Sequence, residues 1–251
     1  MSGHSKWSTI KRKKGAADAK RGQVFTRLTK EIVIAARDGG GDAEGNMRLR
    51  LAIDKARASN MPKDNIERAI RRGTGDDKEG NAYEETTYEG YASHGVALII
   101  EVVTDNRNRA VSDLRHVLSK NGGSLGEGGS VAWQFTRMAF FQIPAAKFDF
   151  DSIFELAVEA GAEDVMQSDD VIEITAGVES FKWISDAFHA RKIQVEDSGL
   201  RMIPNHEIEL DAENTIKVMR TIEALEELDD VQNVYSNLAI SDEALLQLEA
   251  A

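Results

Sequence analysis

The sequence predicts an α+β protein in which a helical N-terminal domain precedes two ferredoxin-like α+β domains, the third inserted into the second. Apolar residues recur at helical spacing from residue 23 to about residue 70. Strand patterns alternate with helix patterns from residue 82 onward. The two parts also differ in the sign of their charge. Pattern and charge therefore both place a boundary near residue 75.

Three helices account for the N-terminal part. The first carries apolar residues three and four positions apart, namely Val24, Phe25, Leu28, Ile32 and Ala35, the spacing of one buried helix face. Arg27, Lys30 and Arg37 lie off that face, and the glycines at 39–41 end the helix. A second helix is predicted to run to about Ser59, and a third from Pro62 to a stop at Gly73. Residues 1–75 are thus predicted to be a basic all-helical domain.

The next segment, residues 82–136, reads as the first half of an α+β domain. It has three predicted strands and one helix: strands Thr86–Tyr91, Val96–Thr104 and Val131–Phe135, and helix Asn108–Lys120. A glycine-rich loop at 121–129 precedes the third strand.

Residues 137–204 show a β-α-β-β-α-β order, which is that of a ferredoxin-like unit. The predicted elements are a strand at Ala139–Ile143, a helix at Ser152–Ala160, a hairpin near Val165–Ile174, a helix at Glu179–Ala190 and a strand from Ile193. Residues 205–240 then add a strand at His206–Leu210, a helix at Ala212–Leu228 and a strand at Val231–Tyr235. These last elements complete the domain begun at residue 82, so the predicted second domain is discontinuous.

The net charge of −12 conceals an asymmetry. Residues 1–75 hold 18 Lys and Arg against 8 Asp and Glu, whereas the remainder holds 13 against 35. The first part therefore favours a polyanionic partner, and the second repels it. Two solvated surfaces of opposite sign are the alternative interpretation.

The sequence lacks the signals that are typical of several classes of protein. The chain has no cysteine, which rules out disulfides and thiolate metal sites. The apolar stretch 96–103 is far shorter than the roughly 20 residues of a membrane span. No catalytic triad pattern, metal-ligand spacing or complete phosphate-binding glycine motif is legible. We expect no enzymatic activity, no cofactor, no bound metal and no membrane partner.

The N-terminal segment carries the densest positive charge. Lys11, Arg12, Lys13 and Lys14 are followed by Lys20 and Arg21, with Lys6 upstream. Closely spaced phosphates reward such clustering through counterion release. These residues and Arg27 are predicted to bind a nucleic-acid backbone, and a solvated basic helix is the alternative.

A second candidate anion site lies in the acidic part of the chain. Arg107 and Arg109 flank Asn108 at the start of a predicted helix, where free N–H groups and the helix dipole favour an anion. Alternatively, Asn108 caps the helix and the arginines pair with neighbouring carboxylates.

An acidic patch lies near the C-terminus, comprising Glu223, Glu226, Glu227, Asp229 and Asp230. A solvated helix face is the ordinary explanation. Docking to a basic protein is the alternative.

Several longer motifs match one known family in order along essentially the whole chain. They are Gly3-His4-Ser5-Lys6-Trp7, Asp18-Ala19-Lys20-Arg21-Gly22, Met61-Pro62-Lys63-Asp64-Asn65-Ile66, Tyr88-Glu89-Gly90-Tyr91, Thr104-Asp105-Asn106-Arg107-Asn108-Arg109 and Gly129-Ser130-Val131. The sequence resembles the YebC family of probable transcriptional regulators, which is related to mitochondrial translational activators.

The resemblance implies three domains, a bacterial cytoplasmic location and nucleic-acid binding. Some members of the family are described as DNA-binding transcriptional regulators, and others as ribosome-associated translation factors. The first function predicted is therefore a DNA-binding regulator of transcription, and the alternative is a factor on ribosomal RNA that relieves stalled or inefficient translation. No dimer seam is evident, so we expect a monomer.

Overall fold

The structure is a computed structural model that describes residues 18–75, 82–168 and 170–250; for residues 18–21, 242 and 248–250 it describes the backbone alone. The α-helices in these ranges are α1 Asp18–Gly39, α2 Met47–Ala58, α3 Lys63–Thr74, α4 Arg107–Lys120, α5 Phe150–Glu159, α6 Phe181–Ala190, α7 Ala212–Glu226 and α8 Asp242–Ala250. The strands are β1 Glu84–Tyr91, β2 Ala97–Thr104, β3 Ser124–Leu125, β4 Phe135–Pro144, β5 Ala162–Gln167, β6 Val171–Ala176, β7 Asp197–Pro204, β8 Ile208–Glu209, β9 Val231–Ser236 and β10 Leu238–Ala239. The predicted α+β class is confirmed.

Helices α1, α2 and α3 pack around a core of their own. Its buried residues include Ile32, Leu49 and Ile66, one from each helix. Asn46 caps α2 by accepting from the Leu49 amide at 3.1 Å, and its Nδ2 donates to the carbonyl of Ala35. This one side chain therefore ties the start of α2 to the end of α1.

Gly73 allows α3 to lie close against α1. A Cβ at this position would be 2.5 Å from the Val33 carbonyl oxygen, closer than two unbonded atoms can approach. The glycine that the sequence suggested as a helix stop is thus a packing residue, and α3 continues to Thr74 and ends at Gly75 with φ of 84°.

The first sheet has the strand order β3-β1-β2-β9 and is antiparallel. Helices α4 and α7 cover one of its faces, where Leu98 and Ile100 of β2 meet Leu114 of α4 and Val218 of α7. The predicted strand Val131–Phe135 was wrong: residues 132–134 form a 3₁₀ turn, and the third strand is the two-residue β3. The sequence did not predict β3, because a strand of two residues next to glycines is too short to show an alternation of apolar and polar residues.

The second sheet has the strand order β5-β6-β4-β7, again antiparallel, with α5 and α6 on one face. This is the arrangement predicted from the β-α-β-β-α-β order. Phe141 of β4 anchors the core, since its ring stacks on that of Phe181 at 4.9 Å and meets that of Phe188 edge-on at 5.6 Å.

The chain leaves the first sheet after β3, builds the second sheet, and returns when β9 pairs with β2. The domain division predicted from the sequence stays a prediction, and the separate cores of the three parts support it. The two sheets also touch, because Ile99 and Tyr235 of the first lie in one cluster with Phe135 and Met202. Helix α8, which packs against α7, was not predicted.

Candidate nucleic-acid interface

The ten residues predicted to bind nucleic acid fall into three groups in the structure. Five lie outside the described residues: Lys6, Lys11, Arg12, Lys13 and Lys14. Lys20 and Arg21 lie in the first turns of α1, where only the backbone is described. The side chains of Arg27, Arg107 and Arg109 are described, and none of the three is a simple solvated cation.

Arg27 faces the acidic segment at the end of α7. Its Nε and Nη2 atoms are buried and have no hydrogen-bond partner among the described residues. Burial lowers the pKa of this guanidinium, and the nearby charges of Glu226 and Asp229 partly oppose that effect. Arg27 thus lies in a seam between the helical part and the first sheet.

Lys30 is bound in the same seam. Its Nζ donates to Asp230 Oδ1 at 2.7 Å and to the Asp229 carbonyl at 2.8 Å, and the residue is only 5% exposed. The neighbouring Gln23 side chain donates to the Glu227 carbonyl. Part of the acidic patch is therefore neither a solvated face nor free for a foreign protein, because α1 of the same chain docks on it.

Further contacts continue this seam along β1. Arg48 of α2 bonds both Glu31 of α1 and Glu85 of β1. Burial alone would lower the pKa of Arg48, but the hydrogen bonds to the two glutamates outweigh it and raise the pKa above its ordinary value. Arg72 of α3 stacks over the Tyr83 ring, with Cζ 4.4 Å from the centroid. Many cations of the helical part are thus used to hold it against the sheet.

Arg109 is committed to carboxylates. Asn106, rather than Asn108, caps α4 by accepting from the Arg109 amide at 3.1 Å. The Arg109 guanidinium bonds Asp230 Oδ2 at 2.8 Å and Asp105 Oδ1 at 2.9 Å. For this arginine the structure shows the alternative interpretation, a capped turn with a paired side chain.

Arg107 is held far more weakly. It is exposed, its Nη2 donates to Thr86 Oγ1 at 3.0 Å, and its Nε is 3.4 Å from Glu84 Oε2. Glu84 is exposed as well, so water and salt screen the pair. Arg107 is the member of the motif whose guanidinium is exposed and only weakly paired.

The glycine-rich loop is fixed by one carboxylate rather than open to a ligand. Glu89 of β1 accepts from the amides of Gly129, Val131 and Ala132 at 2.7, 2.7 and 2.8 Å. Burial would raise the pKa of Glu89, yet these three donors outweigh it and lower the pKa. Two of the family motifs, 88–91 and 129–131, thus contact each other directly.

Two exposed cations were missed by the sequence reasoning. Arg68 and Arg71 are three residues apart on α3, exposed, and without an ion-pair partner among the described residues. Residues at that spacing share a helix face. Their positions off the apolar residues Ile66, Ala69 and Ile70 indicate exposure. Other cations of the helical part also lie off an apolar face and yet are paired, so the sequence alone did not single these two out.

Two absences hold for the described ranges. No group of three or more His, Cys, Asp or Glu residues is arranged to hold a metal ion. No helix in those ranges combines the length and the apolarity needed to cross a membrane.

Models of two parts of one family match the chain. Residues 5–76 match the "TACO1/YebC protein N-terminal domain" and residues 83–238 the "TACO1/YebC second and third domain". The chain belongs to the TACO1/YebC family. The two matched ranges meet near the boundary where the helical part gives way to β1.

Relatives within the TACO1/YebC family are similar over their whole length. A protein of Borrelia turicatae is 54% identical over 97% of this chain and 99% of its own, and one of Desulfosudis oleivorans is 51% identical over 96% and 98%. Both are named "Probable transcriptional regulatory protein". The crystal structure of a conserved hypothetical protein from Aquifex aeolicus is 41% identical and superposes with a TM-score of 0.84, over 91% of this chain and 94% of the other.

Proposed function

We propose that this TACO1/YebC protein is a non-enzymatic, nucleic-acid-binding regulator of gene expression in the bacterial cytoplasm, acting first as a DNA-binding transcriptional regulator. The observation that carries the proposal is the concentration of positive charge in residues 1–75 of an otherwise acidic chain. The names of the relatives support the regulatory role.

The described cations divide by their task. Lys30 and Arg48 hold the helical part against the first sheet, Arg109 of α4 pairs with the same Asp230 as Lys30, and the charges of all three are already neutralised. Arg68, Arg71 and Arg107 are exposed and free or weakly paired. These exposed cations, and the cations that the sequence concentrates between Lys6 and Arg21, are the residues proposed to bind phosphates.

A second candidate is a translation factor on ribosomal RNA. The exposed cations come from different elements, α3 and the first turn of α4, rather than from one helix that would enter a major groove. A dispersed set suits a partner recognised by its shape and phosphates, as structured RNA is.

The binding test compares three variants under the same assay conditions. The first replaces Lys11, Arg12, Lys13 and Lys14 with glutamine, and the second carries Arg68→Gln with Arg71→Gln. The control carries Arg191→Gln with Lys192→Gln, two exposed cations at the end of α6. Fluorescence anisotropy at several salt concentrations follows binding to duplex DNA, duplex RNA and a ribosomal RNA fragment.

Each phosphate contact that is lost should lower the logarithmic salt slope by roughly one unit, whatever the sequence of the probe. The control should bind like the wild type. Unchanged slopes in both test variants, with circular dichroism showing intact helices, would overturn the proposal. A loss confined to one DNA sequence would show that the segment reads bases and would favour operator-specific regulation.

Sedimentation separates the two candidates in cells. Tagged protein from growing cells is run on a sucrose gradient after DNase or RNase treatment. Co-migration with ribosomes that survives DNase but not RNase supports the translation factor. Absence from ribosomal fractions, with binding to duplex DNA in the anisotropy assay, supports the transcriptional regulator.

A further inference from the structure

Among the described residues, Trp133 is the most exposed of the large apolar side chains, at 71%. It belongs to the 3₁₀ turn at 132–134, which joins the glycine-rich loop to β4. A single exposed apolar side chain is ordinary on a protein surface and needs no partner. Trp133 differs from that ordinary case because several hydrogen bonds hold its backbone and its ring in one position.

The backbone around Trp133 is fixed from two directions. On the side of β1, Glu89 accepts from the loop amides that immediately precede the ring, and the Tyr91 hydroxyl donates to the Ser130 carbonyl at 3.1 Å. On the side of the segment that follows β7, Asn205 Nδ2 donates to the Trp133 carbonyl at 3.1 Å. The turn is therefore held by strands of both sheets.

The indole ring is oriented by its own hydrogen bond. Trp133 Nε1 donates to the Ser130 carbonyl at 3.1 Å. Because Nε1 is the only polar atom of the ring, the exposed remainder has no further need of a hydrogen-bond partner. A partner that contacts this ring loses little free energy in ordering it, since the ring is already placed.

The surroundings of the ring suit a flat partner better than a protein. A Cβ added at Gly128 or Gly129 would meet no atom within 4 Å, so the loop leaves open space beside the turn. Within the described ranges, no other exposed large apolar side chain belongs to this loop or to β4. A protein interface has a contiguous core of buried side chains, whereas stacking needs only one aromatic face.

The loop has no positive charge with which to hold a phosphate. Residues 121–134 contain no Lys or Arg and one acid, Glu127. The helical part lies nearby, because Arg48 of α2 bonds Glu85 of β1 while the loop bonds Glu89 of the same strand. Residues four apart in a strand share a face and are separated by roughly 14 Å. A nucleic-acid strand that contacts Trp133 can therefore also reach the helical part.

We propose that Trp133 stacks on an unpaired nucleobase, while the cations proposed to bind phosphates hold the backbone of the same nucleic acid. The inference rests on the proposed function and narrows its substrate to nucleic acid with unpaired bases, in RNA or in melted DNA. Stacking tolerates any base, because every base has a π-face. In a regular duplex the neighbouring base pairs cover those faces, so Trp133 adds nothing to duplex binding.

Fluorescence anisotropy at several salt concentrations tests the proposal with the full chain. The probes are single-stranded RNA and single-stranded DNA of about 15 nucleotides, within the site sizes of single-strand-binding proteins, and the duplex of each. Trp133→Ala should weaken binding to the single strands at least about fivefold and leave duplex binding unchanged. The larger loss identifies RNA or melted DNA as the source of the base, and equal losses mean that the site accepts both.

The salt dependence distinguishes stacking from a phosphate contact. The indole neutralises no phosphate, so Trp133→Ala should lower the affinity at every salt concentration without changing the logarithmic salt slope. The replacement of Lys11, Arg12, Lys13 and Lys14 with glutamine should instead lower the slope itself.

Three further variants control for the loss of an exposed ring. Trp183→Ala removes the other highly exposed tryptophan, which is 66% exposed on α6 and has Lys182 Nζ 5.8 Å from its ring centroid. This variant should bind every probe like the wild type. Trp133→Phe keeps an aromatic face and should recover most of the affinity, whereas Trp133→Leu, which is apolar but not aromatic, should not.

A second measurement leaves Trp133 in place, so it applies even if Trp133→Ala does not fold. The sequence has three tryptophans, and a protein with Trp7→Phe and Trp183→Phe keeps only Trp133. Single-stranded probes should quench its fluorescence saturably, because a stacked base lies against the ring, and the duplexes should not.

Three results would overturn the stacking proposal: equal affinity of Trp133→Ala and wild type for single strands, a lower salt slope in Trp133→Ala, or an equal loss in Trp183→Ala. If the change at Lys11–Lys14 lowers the slope while Trp133→Ala changes nothing, the proposed function stands and the stacking contact alone is wrong. If the wild type binds none of the probes, the proposed function fails and the stacking contact fails with it.

Discussion

Lys30 Nζ lies 2.7 Å from Asp230 Oδ1, and both side chains are more than nine-tenths buried. The pair joins the helical part to the loop that precedes β9, across 200 residues of sequence. Burial by itself would raise the pKa of Asp230, but hydrogen bonds from Lys30 and Arg109 outweigh it and hold the pKa below its ordinary value. The carboxylate therefore ties α1, the first turn of α4 and the start of β9 together.

Removing either partner of this pair should destabilise the protein, by unequal amounts. Asp230→Ala leaves buried Lys30 with the Asp229 carbonyl as its remaining hydrogen-bond acceptor among the described residues and removes one of the two carboxylate partners of Arg109. We therefore expect a loss of about 3–5 kcal/mol in the free energy of unfolding. Lys30→Met should cost less, because Arg109 and Thr104 still bond Asp230. Urea unfolding at pH 7 measures both, and a larger loss for Lys30→Met would contradict the assigned role of Asp230.

Single substitutions of Arg107 and Arg109 should differ in their effects on stability and on nucleic-acid binding. Arg109→Ala should lower the free energy of unfolding by about 1–3 kcal/mol, because it removes three charge-assisted hydrogen bonds to the carboxylates of Asp105 and Asp230. Arg107→Ala should change it by no more than about 0.5 kcal/mol, as exposed substitutions usually do. Nucleic-acid affinity should fall more for Arg107→Ala than for Arg109→Ala.

Thermal unfolding and fluorescence anisotropy, measured on the same preparations, test the two single variants. The contacts of Arg109 argue against treating both arginines as exposed loop residues that can be changed with folding nearly unchanged. If both single variants unfold like the wild type and bind equally weakly, the Arg109 contacts to Asp105 and Asp230 do not stabilise the fold.

Glu89 should control the order of the loop before β4. Glu89→Ala leaves the amides of Gly129, Val131 and Ala132 without their acceptor, and we expect a cost of about 1–3 kcal/mol, since the carboxylate is partly open to water. Hydrogen exchange at these three amides should accelerate most. Glu127→Ala, an exposed acid of the same loop, is the control. Equal exchange in the two variants would show that Glu89 does not fix the loop.

Glu173 should make the stability of the protein depend on pH. The folded state keeps the Glu173 proton up to about pH 7, whereas an unfolded glutamate loses it near the ordinary value of 4.5. Stability should therefore fall as the pH rises from about 4.5 to 7, by up to about 3 kcal/mol in total.

Glu173→Gln removes that penalty. The variant should be more stable than the wild type at pH 8 and close to it at pH 4.5, as measured by urea unfolding at both values. Glu163→Gln should follow the wild type at each pH. A difference between Glu173→Gln and wild type that is the same at pH 4.5 and pH 8 would mean that this carboxyl has an ordinary pKa in the folded protein.

The sequence by itself determined the α+β class and most elements, because their signals are local. The apolar positions of α1 and the residues around Pro62 predict helices through neighbours within one or two turns. The prediction failed where an element was too short for periodicity, as at Ser124–Leu125, or where a turn imitated a strand, as at 132–134.

Tertiary structure alone decided which charges are free. Lys30 and Arg68 look alike in the sequence, since both lie off the apolar face of a basic helix. Lys30 is buried because the loop at 229–230, distant in sequence, folds over it, while Arg68 meets only solvent among the described residues. Long-range ion pairs leave no periodic pattern in the sequence. A charge count therefore predicts a phosphate-binding surface, but it does not distinguish the cations of that surface from those that hold the fold together.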